Sequence, residues 1–125
     1  MIDFKNKNLI KLKEISVSDG LNAVKDILID NEYIFIAFAS MRDKLIFTDK
    51  RIISINVQGI TGSKIDFTSI PYSKIQAYSI ETAGLLDLDA ELEIVISGLG
   101  TIKFELKSNT SIKDICAKIS EKILN

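Results

Sequence analysis

Asp87, Asp89, Glu91 and Glu93 alternate with Leu88, Ala90, Leu92 and Ile94, and they are the densest set of chemically capable side chains in the sequence. In an extended strand that spacing puts all four carboxylates on one face and the apolar residues on the other. Oxygen ligands in an Asp-x-Asp-x-Glu pattern suit calcium. The following glycine and the twelve-residue loop of an EF-hand are missing, however, so no metal is expected. A glycosidase pair needs a sugar-binding cleft, and the chain has no tryptophan to line one. What remains is a solvated acidic face, or a face that docks a partner. Cys116 stands alone, with no histidine anywhere to activate it, and it falls on the apolar stripe of a helix, where a thiol acts as a small hydrophobe. Thr61-Gly62-Ser63-Lys64 lacks the first glycine of a phosphate loop and runs into strand-like alternation.

Composition narrows the chemistry further. With no histidine and one cysteine, imidazole bases, imidazole metal sites and intramolecular disulfides are all excluded, so most familiar catalytic machinery is absent and no cofactor is expected; an enzyme using Asp87, Asp89 and Glu91 with a metal is the weakest of the functional readings. Sixteen Lys and Arg against seventeen Asp and Glu leave a formal charge of −1, without the basic excess that tracks nucleic acid. The first residues carry scattered charges and no translocation segment, and the apolar run Tyr33 to Ala39 is far short of a membrane span, so a cytoplasmic protein is expected.

The elements that must position these residues are mostly strands. Isoleucine makes up roughly a fifth of the chain, and β-branched side chains favour the pleated surface of a sheet. Period-two alternation predicts strands at Glu32–Ala39, Lys44–Thr48, Arg51–Gln58, Ser63–Ile70, Lys74–Thr82, Asp89–Ser97 and Thr101–Lys107. Short connections such as Asp49-Lys50 and Gly98-Leu99-Gly100 predict an antiparallel meander without parallel crossovers. Ser111-Ile112-Lys113-Asp114 reads as a capping box, and Ile112, Ile115, Cys116, Ile119 and Ile123 form one face of a C-terminal helix. Leu21, Val24, Ile27 and Leu28 predict a short helix after Ser18 and Asp19, ended near Asn31. The first fifteen residues leave a strand, a helical extension or an arm open.

Beyond this layout, the order and spacing of several stretches are distinctive: Arg42-Asp43-Lys44-Leu45-Ile46-Phe47-Thr48-Asp49-Lys50-Arg51, Gln58-Gly59-Ile60-Thr61-Gly62-Ser63-Lys64, Ser69-Ile70-Pro71-Tyr72, Glu81-Thr82-Ala83-Gly84, Asp87 to Leu92, and Ser97-Gly98. The sequence from about residue 20 to 124 resembles the bacterial pleckstrin-homology-like family. The resemblance implies a mainly β, pleckstrin-homology-like barrel of seven antiparallel strands with a C-terminal capping helix and a short N-terminal helix. It divides the chain into an arm at 1–19 and a domain at 20–125. It also implies a non-enzymatic module that closes into cyclic homo-oligomeric rings, pentamers, and mediates protein contacts. A lipid or phosphate headgroup-binding module is the alternative.

Residues follow from these expectations. The run Tyr33 to Ala39 is apolar on both faces, so its outer half must be covered by a helix of the same chain or by a neighbouring copy; Ile36 and Phe38 are the candidates for a subunit interface. Arg42, Tyr72, Glu81, Asp87, Asp89 and Glu91 are the candidates for a partner-binding face. At the turn offering Arg42 and Lys44, and at Lys50 and Arg51, each cation has an acidic neighbour in Asp43 or Asp49, which argues against a membrane partner.

Overall fold

In the computed structural model, which describes residues 1–3, 8–59, 61–82, 89–108 and 112–125, the chain is one curled eight-stranded sheet with a helix against its outer face and another closing its inner side. The strands are β1 (Asn8–Ile15), β2 (Ile34–Ala39), β3 (Asp43–Thr48), β4 (Arg51–Gln58), β5 (Lys64–Pro71), β6 (Ala77–Thr82), β7 (Asp89–Ile96) and β8 (Gly100–Lys107). The helices are α1 (Val17–Val24) and α2 (Ile112–Leu124). All seven expected strands are present, with ends shifted by a few residues.

The eighth strand is the departure. Residues 8–15, placed in the N-terminal arm with a strand, a helical extension or a loose arm all left open, form β1, which pairs antiparallel with β2 and parallel with β8. Sheet order is β5-β4-β3-β2-β1-β8-β7-β6, so β1 supplies the hydrogen-bonded link between two meanders. The expectation of a purely antiparallel sheet is corrected for the same reason. A parallel pair needs a long crossover, and here almost the whole domain lies between its two strands.

Alternation then sorts the side chains. Leu12, Ile36, Phe38, Leu45, Phe47, Ile52, Leu92, Ile94, Ile102 and Phe104 fill the concave side, which α2 closes with Ile115 and Ile119. The stripe expected on α2 is thus in place, although the Ser111 cap lies outside the described residues. On the convex side, Ile34, Ala37, Ile46, Ile53 and Ile55 meet Val24, the last residue of α1. Two cores share one strand because the ladder shifts register between Ile34 and Ile36, which turns Phe35, Ile36 and Phe38 inward and Ile34 and Ala37 outward. The two-faced apolar run is therefore covered within the subunit. Ile36 and Phe38 are 5 % and 0 % exposed, so their expected place at a subunit interface is corrected: they are core.

Helix α1 starts three residues earlier than expected, with the Asp19 amide donating to Ser16 Oγ at 3.0 Å as an N-cap. It lies so close to β2 that a methyl group at Gly20 would stand 2.7 Å from Ala37 Cβ. The connection to β2 turns at Asn31, whose φ of 65° is the left-handed conformation that asparagine tolerates.

That connection is fastened by Glu32 and Arg51. Arg51 Nε and Nη2 each donate to the Glu32 carboxylate at 2.9 Å. Thr48 Oγ1 donates to it at 2.7 Å and the Ile29 amide at 3.1 Å. The remaining guanidinium donors reach the Ile27 carbonyl at 2.8 Å and Ser69 Oγ at 2.9 Å. The Glu32 side chain is fully buried. Burial alone would raise its pKa, but the hydrogen bonds from Arg51, Thr48 and Ile29, with the Arg51 charge, outweigh it and hold the carboxyl below its ordinary 4.5.

Two outcomes follow. Because the Glu32 pKa is lowered on folding, its contribution is complete above the ordinary value of 4.5 and disappears as pH falls through the lowered folded value. Glu32→Gln should cost about 3–5 kcal/mol near neutrality by leaving Arg51 without its charge partner, and should flatten the acid limb of a stability–pH curve measured by urea unfolding. An acid limb of unchanged slope would place the titrating group elsewhere. Gly20→Ala should lower the melting temperature, since overpacking costs about 1–3 kcal/mol against a helix-propensity gain of at most about 1; a higher melting temperature would mean that α1 can lift from β2.

Candidate functional site

The expected acidic face forms on β6, β7 and β8. Strand β7 places Ala90, Leu92, Ile94 and Ile96 in the core and turns Asp89, Glu91 and Glu93 outward. Antiparallel register sets Glu81 opposite Glu91 and Glu91 opposite Glu105, so three glutamates lie side by side across three strands. Together with Asp89, Thr82 and Ala90 they line a shallow cavity of about 190 Å³. Lys103 answers part of this charge, its Nζ 3.4 Å from Glu91 and 3.8 Å from Glu93. Among the described residues no group of acids is arranged to hold a metal ion. Asp87 lies outside the described residues.

Two other expected members are elsewhere. Tyr72 is 7 % exposed, its ring in the inner core and its hydroxyl donating to the Thr48 carbonyl at 2.6 Å, so its expected place on a polar docking face is corrected. Burial pushes the Tyr72 pKa up, with the charges of Asp49 and Glu32 adding to the effect, so its proton stays in that bond. Arg42 sits in the turn between β2 and β3, where its guanidinium donates to the Gly59 carbonyl. That turn is separated from the acidic row by β1 in the sheet order.

Charge pairing at the turns is also not what nearness in sequence suggests. Asp43 directs its carboxylate to Asn56 Nδ2 at 2.9 Å and leaves Arg42 and Lys44 without it. Asp49 does pair with Lys50, at 3.6 Å, but Arg51 turns to Glu32. Glu105 was missed because the sequence reading concentrated on one strand. Its signal was the exposed phase of Thr101–Lys107, which puts Lys103, Glu105 and Lys107 on one face.

The comparisons match this architecture. The profile of the bacterial PH domain matches residues 3–123. The chain belongs to the bacterial PH-domain family. Its relatives include the uncharacterized protein YjqA of Bacillus subtilis, 50 % identical over 91 residues that make up 71 % of this chain and 73 % of YjqA. Among solved structures, a pleckstrin-homology-domain protein of Shewanella loihica superimposes with a TM-score of 0.75 at 36 % identity, over 91 % of this chain and 98 % of the other. The pleckstrin-homology domain of Shewanella amazonensis gives 0.65 at 38 % identity, over 92 % and 94 %. A mainly β PH-like fold is thus shown, with eight strands where seven were expected.

Within this bacterial PH domain, Cys116 is half-buried on α2, and burial raises its pKa, which keeps the thiol protonated and weakly nucleophilic. No described helix is long and apolar enough to cross a membrane. The glutamate row is the feature at odds with stability, because like charges directly opposite on neighbouring strands repel. Glu105→Gln should raise stability by up to about 1 kcal/mol, and Lys103→Ala should lower it, both read by urea unfolding. A Glu105→Gln variant that unfolds more readily would show that the row is held together by a bound cation.

Proposed function

We propose that this bacterial PH domain is a non-enzymatic interaction module that joins copies of itself edge to edge into a closed ring, five-membered as the family resemblance implies, and presents its acidic row to a protein partner. The observation that carries the reading is the pair of open sheet edges. Among the described residues β5 pairs only with β4, and β6 only with β7. Exposed strand edges offer unpaired backbone donors and acceptors to another chain, and stable proteins block or fill them.

β5 is a poor edge to leave in water. Ile65 and Phe67 are 56 % and 41 % exposed on its convex side. Near its other face, the Ile2 amide donates to Thr68 Oγ1 at 2.9 Å, a side-chain contact that adds no strand to the edge. β6 is the complementary edge, with Tyr78 and Ile80 half-buried and Ser79 and Glu81 exposed. Because β5 and β6 are different strands, joining one to the other is a heterologous contact, which repeats until the rotation closes. Glu81 lies on β6 itself, so each junction would stand beside an acidic row. A partner with matching basic groups would meet several rows at once and gain by avidity.

Light scattering should give a mass about five times the 13.9 kDa of one chain at micromolar concentration. Replacing Ile65 and Phe67 together by Asp should yield a folded monomer, because both side chains are largely outside the core. A monomeric or two-fold wild type would overturn the ring, and so would an undiminished mass in the double variant.

A further inference from the structure

We propose that the convex face at β1 carries a second docking surface, a cationic groove that takes an extended, glutamate- or aspartate-rich segment of another protein. It is independent of self-assembly and opposite in sign to the acidic row. Strand pairing aligns Lys44, Ala39, Lys13 and Lys107 in one row across β3, β2, β1 and β8. Their neighbours Leu45, Phe38, Leu12 and Leu106 all belong to the inner core, so the row faces outward. Beside it a cavity of about 620 Å³ is lined by Lys11, Lys13 and Ala39 on one side and by Ser40, Met41, Arg42 and Asp43 on the other.

Three observations favour an anionic occupant. Lys11, Lys13, Lys44 and Lys107 have no carboxylate within ion-pair distance among the described residues, and the one acid among the described residues that line the cavity, Asp43, is engaged by Asn56. Lys13 and Lys107 are directly opposite, which costs stability, and the acid in register with Lys107, Asp89, stands on its other flank, away from Lys13. Lys11 has a φ of 57°, a conformation that a lysine adopts at a cost, at the register shift between Leu9 and Leu12. Local rules broken without a gain in stability point to a binding role.

The shape selects a peptide. Adjacent strands lie about 4.8 Å apart, so Lys44 and Lys13 are about 10 Å apart and Lys13 and Lys107 about 5 Å, a line of charge instead of a convergent cage for one phosphate. Carboxylates at alternate positions of an extended chain repeat at about 7 Å, within the reach of flexible lysines. Single-stranded nucleic acid would require aromatic stacking platforms, and among the described residues the exposed rings lie elsewhere, Tyr33 against Lys122 and Phe67 on β5.

The test is a fluorescence-anisotropy titration of the full chain with a fluorescein-labelled peptide alternating Glu and Ser, against the same peptide with Gln for Glu, at low salt and at ~0.15 M. The Glu peptide should bind, weaken as salt rises, and lose at least about tenfold in affinity for the double variant Lys11→Glu, Lys13→Glu, while the Gln peptide stays free. The variant should keep the wild-type oligomeric mass and melt no lower than wild type, since Lys13→Glu turns the repulsion from Lys107 into attraction. Equal binding of both peptides, or undiminished binding by the variant, overturns the proposal. Displacement of the Glu peptide by vesicles containing phosphatidylserine would assign the row to a lipid surface, and displacement by micromolar inorganic phosphate would assign it to a small anion; either result also overturns it.

Discussion

One buried carboxylate organises the convex half of the molecule. Glu32 accepts from Arg51, Thr48 and the Ile29 amide, and Arg51 in turn reaches Ile27 and Ser69. The α1–β2 connection, the β3–β4 turn and edge strand β5 thus converge on a single ion pair. Taking a carboxylate out of water is costly, and the charge is tolerated only because its oxygens are surrounded by donors. The same turn passes the constraint to the concave half, where the Thr48 carbonyl accepts from Tyr72 in the inner core. With the segment that follows it fixed in this way, α1 can press Gly20 against Ala37 and cover β2, β3 and β4.

The other half of the convex face carries no helix among the described residues. Over β1, β8, β7 and β6 the outward positions are taken by Lys13, Lys107, Lys103, Glu105, Glu91 and Glu81, which keep the surface in water without apolar cover. Solubility alone would be served as well by alternating signs. Signs do alternate along β8, where Lys103 and Lys107 stand opposite Glu93 and Asp89, yet across the strands like charges lie side by side at Glu81, Glu91 and Glu105 and at Lys13 and Lys107, and each such pair costs a few tenths of a kcal/mol or more. β1 is the strand that makes this possible. Its parallel pairing with β8 brings Lys13 beside Lys107, and its position keeps the Arg42 turn away from the glutamates.

How much of this is legible in the sequence differs from element to element. Strands β2 to β8 and the stripe of α2 follow from periodicity, since Ile102, Phe104 and Leu106, or Ile115 and Ile119, have only one face to bury. β1 is not legible, because a left-handed Lys11 and a register shift interrupt its alternation. The two-sided apolar run of β2 signals correctly that something must cover it, yet the absence of a side chain at Gly20, which periodicity does not single out, is what lets α1 do so. Tyr72 shows the limit for site residues: a phenol at a strand corner reads as polar surface until a specific carbonyl is found to satisfy it. Glu105 and the lysine row belong to separate strands, and only the register places them together.

Strand-borne charge has a consequence that loop-borne charge lacks. The spacing of a row across a sheet is fixed by the ladder, at about 4.8 Å per strand, and cannot relax to relieve repulsion. A partner of opposite sign would therefore meet charges whose backbone positions are already ordered, so that only the side-chain rotamers remain to be fixed on binding. Under the docking roles proposed above, the stability sacrificed in aligning Glu81, Glu91 and Glu105, or Lys13 and Lys107, would be recovered as affinity once the opposing charge arrives. This relation explains why the charge rows lie on β1, β3, β6, β7 and β8, each anchored from below by buried apolar neighbours, while the convex cover of α1 is confined to β2, β3 and β4.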